Sequence, residues 1–203
     1  MENAEIKVYD KKQNALWKEK NAIAIANKKT LFSVGNSAYE MFEKAPYNIE
    51  VRFPMKEGVI SHFYDMQYLL QNLLKKEQHF ISGSKYIVAV PADVTEVEKR
   101  AFYDLVVHST AKAKEVRIVE RGIADSIGLG LNIEKTTGIF IVNFGGETTE
   151  LSVLSYGGVV LNKMLKIGGR TMDQSIVSSV RAFDDYLIGK QTAEELRKEY
   201  GIM

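Results

Sequence analysis

The chain has 203 residues, 45% hydrophobic and 26% charged, the make-up of an ordinary globular protein long enough to bury a core. Its formal net charge of +1 gives no electrostatic reason to expect nucleic acid or an acidic substrate as partner. It has no cysteine, which excludes disulfides and thiolate metal sites and is compatible with a reducing compartment. The N-terminus is polar and charged, unlike a signal peptide. No apolar run approaches the roughly 20 residues that a membrane-spanning helix needs. His62, His79 and His108 have no metal-ligand spacing, so no metal site is expected from them.

Glu5 to Trp17 alternates around Ile6, Val8, Leu16 and Trp17 and is broken by the polar run Asp10 to Asn14, the pattern of a hairpin. Ala22 to Ala26 and Thr30 to Val34 read as two more short strands about Asn27-Lys28-Lys29. Gly35-Asn36-Ser37 opens a short helix expected to reach about Lys44. Phe63, Met66, Leu69, Leu70, Leu73 and Leu74 recur at helical spacing, which predicts an amphipathic helix from about His62 to Lys76. Lys85 to Val90 is a buried strand ending at Pro91. A helix then starts at Thr95, with Val97, Ala101 and Leu105 on one face. Glu115 to Glu120 is another strand, and Ile123 to Leu131 a short helix and loop. Strands alternating with helices imply parallel pairing through right-handed crossovers.

The last third changes character. Gly138 to Phe144, Thr148 to Ser155 and Val159 to Ile167 are short apolar runs separated by Gly145-Gly146 and by Tyr156-Gly157-Gly158, an antiparallel meander. Gly168-Gly169 ends the third strand, and Met172, Ile176, Val180, Phe183 and Leu187 follow at helical spacing. A boundary near Glu134 to Gly138 divides the chain into residues 1–136 and 137–203.

Several motifs then share one ancestry. Asn143 to Glu150 reads NFGGETTE, Gly168 to Asp173 reads GGRTMD, and Leu187 to Glu195 reads LIGKQTAEE. Val34 to Ala38 and Pro54 to Ile60 add VGNSA and PMKEGVI. In this order and spacing they resemble the MreB family, bacterial actin homologues that determine cell shape. The resemblance runs from about Glu5 to Gly201 and implies an α/β, actin-like fold of the ribonuclease-H-like type. It implies a first half-domain lacking its first strand, followed by the start of the second. The family's first phosphate loop, of the form D-x-G-T, and its adenosine segment are expected to lie outside these residues. ATP and Mg2+ are the cofactors the resemblance implies.

The same resemblance nominates residues. Gly145, Gly146, Glu147, Thr148 and Thr149 match its second phosphate loop, where backbone N–H groups cradle phosphate. Glu147 stands where the family has glycine and would repel a triphosphate, and Asn143 replaces an aspartate that helps hold hydrated magnesium. The competing reading is a plain hairpin turn. Glu98 matches the glutamate that orients the attacking water, yet Thr95 and Glu98 also form a capping box, a role that needs no nucleotide. Glu120 matches the first glutamate of an EEP segment, but Arg121 and Gly122 replace the rest, and Arg170 stands in an acidic position. Phe80-Ile81, flanked by lysines, matches a loop whose apolar tip enters the membrane surface, with burial under the loop as the alternative.

These features lead us to expect a truncated, divergent MreB-like protein of the cell-shape cytoskeleton. It would be cytoplasmic or peripheral at the inner face of the membrane, and would act by contacts with itself or a longer MreB-like homologue, with weak or no hydrolysis. The alternatives are an ATP-binding, filament-forming MreB ATPase read as an incomplete chain, an actin-fold regulatory module of another kind, and a degenerate product without function.

Overall fold

The computed structural model describes residues 4–76, 83–110, 112–135 and 137–201. The first hairpin reverses because the Asp10 carboxylate accepts the N–H of Lys12 (2.7 Å) and Gln13 (3.3 Å) while Asn14 takes φ 53°. Strand β1 (Glu5–Asp10) therefore pairs antiparallel with β2 (Ala15–Lys20), Val8 opposite Trp17. Strands β3 (Ile23–Ala26) and β4 (Thr30–Val34) turn at Asn27 and Lys28, both at positive φ, the geometry of a type I′ turn. Helix α1 (Asn36–Glu40) follows, and β5 (Ile49–Arg52) then pairs with the other edge of β3. The small hairpin β6 (Met55–Lys56) and β7 (Val59–Ile60) turns at Glu57 and Gly58, again both at positive φ.

Helix α2 (Phe63–Lys76) lays Met66, Leu69 and Leu73 into the main core. Strand β8 (Lys85–Val90), helix α3 (Glu96–Val107) and strand β9 (Glu115–Glu120) form a parallel crossover unit. Its Val90, Phe102 and Leu105 meet α2, Ile6 and Met55 in the same core. Helix α4 (Arg121–Gly128) begins directly after β9. It ends in a Schellman arrangement: the Leu131 N–H donates to Ser126 O and the Gly130 N–H to Ile127 O, with Gly130 at φ 73°. The meander is β10 (Ile139–Phe144), β11 (Thr149–Ser155) and β12 (Gly158–Leu165), with β11 central and a bulge at Val153/Leu154. Helices α5 (Gly169–Asp184) and α6 (Lys190–Tyr200) pack on each other, and Arg197 pairs with the buried Asp173 at 2.6 Å.

Several expectations are corrected. The first helix stops at Glu40 rather than Lys44, because Met41–Lys44 run in tight turns and Glu43 sits at φ 62°. Helix α4 starts two residues early, at Arg121. Parallel pairing holds for β8 and β9 and the meander is antiparallel as expected, but β9 and β10 are not paired with each other among the described residues. Helix α5 starts at Gly169, not Met172, and ends before Leu187; Met172, Phe183 and Leu187 are exposed. Strand β5, the β6–β7 hairpin and helix α6 are additional elements.

Helix α6 reaches back to α1 through polar groups. The Tyr39 hydroxyl donates to Glu194 at 2.6 Å, the Gln191 amide to Tyr39 O at 2.6 Å, and the Lys190 N–H to Glu43 at 2.8 Å. Burial pushes the Glu194 carboxyl up, but hydrogen bonds from Lys198 and Tyr39 and the charge of Lys20 outweigh it and hold the pKa down, from the ordinary 4.5 to about 2. A depressed carboxyl contributes stability that is complete above its unfolded value and is lost as pH falls through the folded one. Wild type should therefore lose stability as pH falls from 4.5 to about 2. Glu194→Gln should flatten that limb, and thermal unfolding across the range measures it.

Candidate functional site

The β10–β11 turn is built by its own backbone and by the helix that follows the meander. The Gly145 N–H donates to Thr148 O at 2.9 Å, closing the turn. The first N–H groups of α5 have no partners within the helix, and the turn supplies them. Gly169 N–H donates to Gly145 O (3.1 Å) and Arg170 N–H to Gly146 O (2.7 Å). This places the helix start at Gly169 although no side chain caps it. Gly168 must be glycine, since a Cβ there would lie 2.7 Å from Glu147 N and from Gly145 O. Thr148 and Thr149 are buried, and the Thr149 hydroxyl donates to Ile167 O at 2.7 Å.

Glu147 does not stand as a lone charge. Its carboxylate pairs with the Arg170 guanidinium and accepts the N–H of Glu57 at 3.0 Å. Arg170 in turn lies over the Phe53 ring, 4.3 Å from its centre. The other unusual positions are partnered too. The Asn143 amide donates to Asp125 at 2.6 Å. Arg121 is buried and pairs with the buried Glu150 at 3.4 Å. Glu150 also accepts the Ala92 N–H at 3.0 Å and the Asn162 amide at 2.8 Å. An open groove of about 460 Å³ runs beside this cluster between α4 and β10, lined by Asp125, Leu129, Val142 and Phe144.

Glu98 sits at the start of α3 and completes a reciprocal capping box. Its carboxylate accepts the Thr95 N–H at 2.7 Å and hydroxyl at 2.8 Å, while its own N–H donates to Thr95 Oγ1 at 3.3 Å. The structure therefore assembles Gly145, Gly146, Glu147, Thr148 and Thr149 into one turn with Arg170, and shows Glu98 engaged in its helix cap. Phe80 and Ile81 lie outside the described residues. Sequence reading did not pair Glu147 with Glu57 or Asn143 with Asp125, because Glu57 enters it only as a letter of the PMKEGVI motif and Asp125 belongs to no motif.

The sequence profile of the MreB/Mbl protein family matches residues 1–203, the whole chain. The chain belongs to the MreB/Mbl family. It is 36% identical over 202 residues to the cell shape-determining protein MreB of Escherichia coli strain K12, an alignment that takes in 96% of this chain and 58% of the relative. The chain thus spans rather more than half the length of the curated MreB it matches. Among solved structures it resembles MreB5 of Spiroplasma citri, crystallised with ADP (TM-score 0.89) and with AMPPNP (TM-score 0.91), at 29% identity. Those matches take in 97–98% of this chain and 59–60% of MreB5. The MamK double helical filament, at 16% identity and TM-score 0.79 over 98% of this chain and 62% of MamK, shares the fold. The architecture is therefore α/β and actin-like.

The capping geometry makes a prediction. Thr95→Ala and Glu98→Ala should each lower stability by about 0.5–2 kcal/mol through lost capping. Denaturant unfolding measures this. An unchanged midpoint for Glu98→Ala beside a lowered one for Thr95→Ala would show that the glutamate serves another purpose.

Proposed function

We propose that this chain is a cytoskeletal protein of the cell-shape machinery, working in the cytoplasm by protein–protein contact, with weak or no ATP hydrolysis. Its partner is a further copy of itself or a longer MreB-like homologue. Residues 1–136 and 137–203 act as the two parts of its actin-like framework. The carrying observation is the bare face of β10: Phe140, Val142 and Phe144 are 64%, 53% and 51% exposed on a strand paired along one edge among the described residues. Exposed apolar side chains on a strand edge are the usual mark of a surface that another chain covers. Ile167 and Met172 extend the exposed apolar set. Family membership supports the cell-shape role, since the Escherichia coli relative is named for it.

Nucleotide is the cofactor implied by the family, and the solved MreB5 structures carry ADP and AMPPNP. The residues of this turn do not fit a phosphate chain with its cation. The Glu147 carboxylate occupies the guanidinium and the Glu57 N–H, and Asn143 is neutral and spent on Asp125. Phosphoryl transfer depends on positioned positive charge, and the guanidinium beside this loop is already neutralised by Glu147.

Light scattering and co-sedimentation should show association of the chain, alone or with a full-length MreB. Phe140→Ser with Phe144→Ser should weaken it, while each exposed change shifts stability by no more than about 0.5 kcal/mol. A folded monomer that ignores the homologue, or phosphate release that Glu98→Ala abolishes, would overturn the reading.

We also propose a membrane contact through Phe80 and Ile81, supported by the apolar pair beside Lys75 and Lys76. The double change to serine should release the protein from anionic vesicles without lowering its melting temperature. If the two side chains are core residues, the same change should instead cost roughly 2–5 kcal/mol of stability.

A further inference from the structure

Parts of the chain far apart in sequence meet at the β10–β11 turn. Glu147 and Glu57 are 90 positions apart, yet the carboxylate of one accepts the N–H of the other at 3.0 Å. Glu57 lies at φ 51° in the two-residue turn of the β6–β7 hairpin, which aims its N–H outward from that hairpin. Its own carboxylate pairs with Lys166, just past β12, at 2.5 Å. Arg170, in the first turn of α5, holds the other oxygen of Glu147 and stacks on Phe53, just before β6. Apart from the Glu147–Arg170 pair itself, these contacts tie the meander and its following helix to residues 53–57.

We propose that the Glu147 carboxylate is a built-in anion: it occupies the position between the Glu57 N–H and the Arg170 guanidinium where a phosphoryl oxyanion would otherwise be received, and it holds the β10–β11 turn shut against the β6–β7 hairpin with no ligand. A backbone N–H and a guanidinium that hold the two oxygens of one anionic group are donors of the kind that recognise a phosphoryl group. Here both are satisfied by a carboxylate from within the chain. Its side chain is 17% exposed, so the interaction is only partly screened by water. An incoming oxyanion would have to displace Glu147 and would then face its charge at close range. The junction thus stays closed whatever the nucleotide supply, and independently of whether the chain assembles with a partner.

Removing the carboxylate leaves both donors in place and converts the junction into an anion site. The test uses the full chain as wild type, Glu147→Gln and Glu147→Gly, with the reading of each taken from amide hydrogen exchange and from titration with inorganic pyrophosphate. Loss of a hydrogen bond to a carboxylate should speed exchange of the Glu57 amide about 10–100-fold in Glu147→Gly. Glu147→Gln, of the same size and still able to accept, should fall between. Glu147→Gly should bind pyrophosphate at least about tenfold more tightly than wild type, a gain that Arg170→Ala removes. Wild type binding pyrophosphate as tightly as Glu147→Gly would overturn the proposal. So would an unchanged Glu57 amide in both variants. Should Glu147→Gly not fold, Glu147→Gln decides alone: faster Glu57 exchange and tighter pyrophosphate binding than wild type support the proposal, and wild-type values of both overturn it.

Discussion

Glu150 is a carboxylate shut away from water, at 1% exposure, and the surrounding elements are arranged to make that tolerable. A buried charge costs several kcal/mol unless it is paired and its remaining lone pairs are used. Arg121 supplies the charge from the first residue of α4, Ala92 an N–H from the loop after β8, and Asn162 an amide from β12. One side chain on β11 thereby pins a helix, a neighbouring strand and the edge of the parallel unit. Nearby, Gly122 leaves the space that Ser152 fills, since a Cβ there would lie 2.8 Å from the serine hydroxyl. These contacts hold Arg121 and Gly122 at the start of α4, which follows β9 directly.

The positions that the sequence resemblance singles out as unusual have a common physical form. Each brings a partner of suitable charge within reach: Arg121 with Glu150, Arg170 with Glu147, Asn143 with Asp125. An aspartate at position 143 would set two carboxylates 2.6 Å apart, a strongly unfavourable arrangement unless one is protonated or a cation lies between. An acidic residue at 170 would likewise face Glu147. The residues of each pair are therefore coupled in this chain, and the effect of replacing one is read together with its partner.

The molecule is closed in some places and bare in others, for different reasons. Helix α6 docks on α1 by hydrogen bonds and ion pairs around Tyr39, Glu43 and Glu194, and there burial alone would penalise the Glu194 charge. The outer faces of β10 and α5 carry apolar side chains in contact with water, where covering them would be favourable. Around α6 the contacts are polar, whereas the apolar side chains on the outer faces of β10 and α5 lie in water.

Local pattern alone determined most of the elements. Alternation marked β1, β2 and the meander, helical spacing marked α2, and Thr95 with Glu98 marked the start of α3, because each of these signals acts over a few neighbouring residues. The family motifs, also local, carried the actin-like fold. Only the tertiary structure decided the start of α5, since the carbonyls that satisfy its first N–H groups belong to Gly145 and Gly146 in another turn. It also decided the meaning of Glu147. As a letter in a glycine-rich loop that residue reads as a misplaced negative charge, and its partners lie 23 and 90 positions away. Charge compensation depends on distance in space, and a linear pattern contains no such distance until the chain has folded.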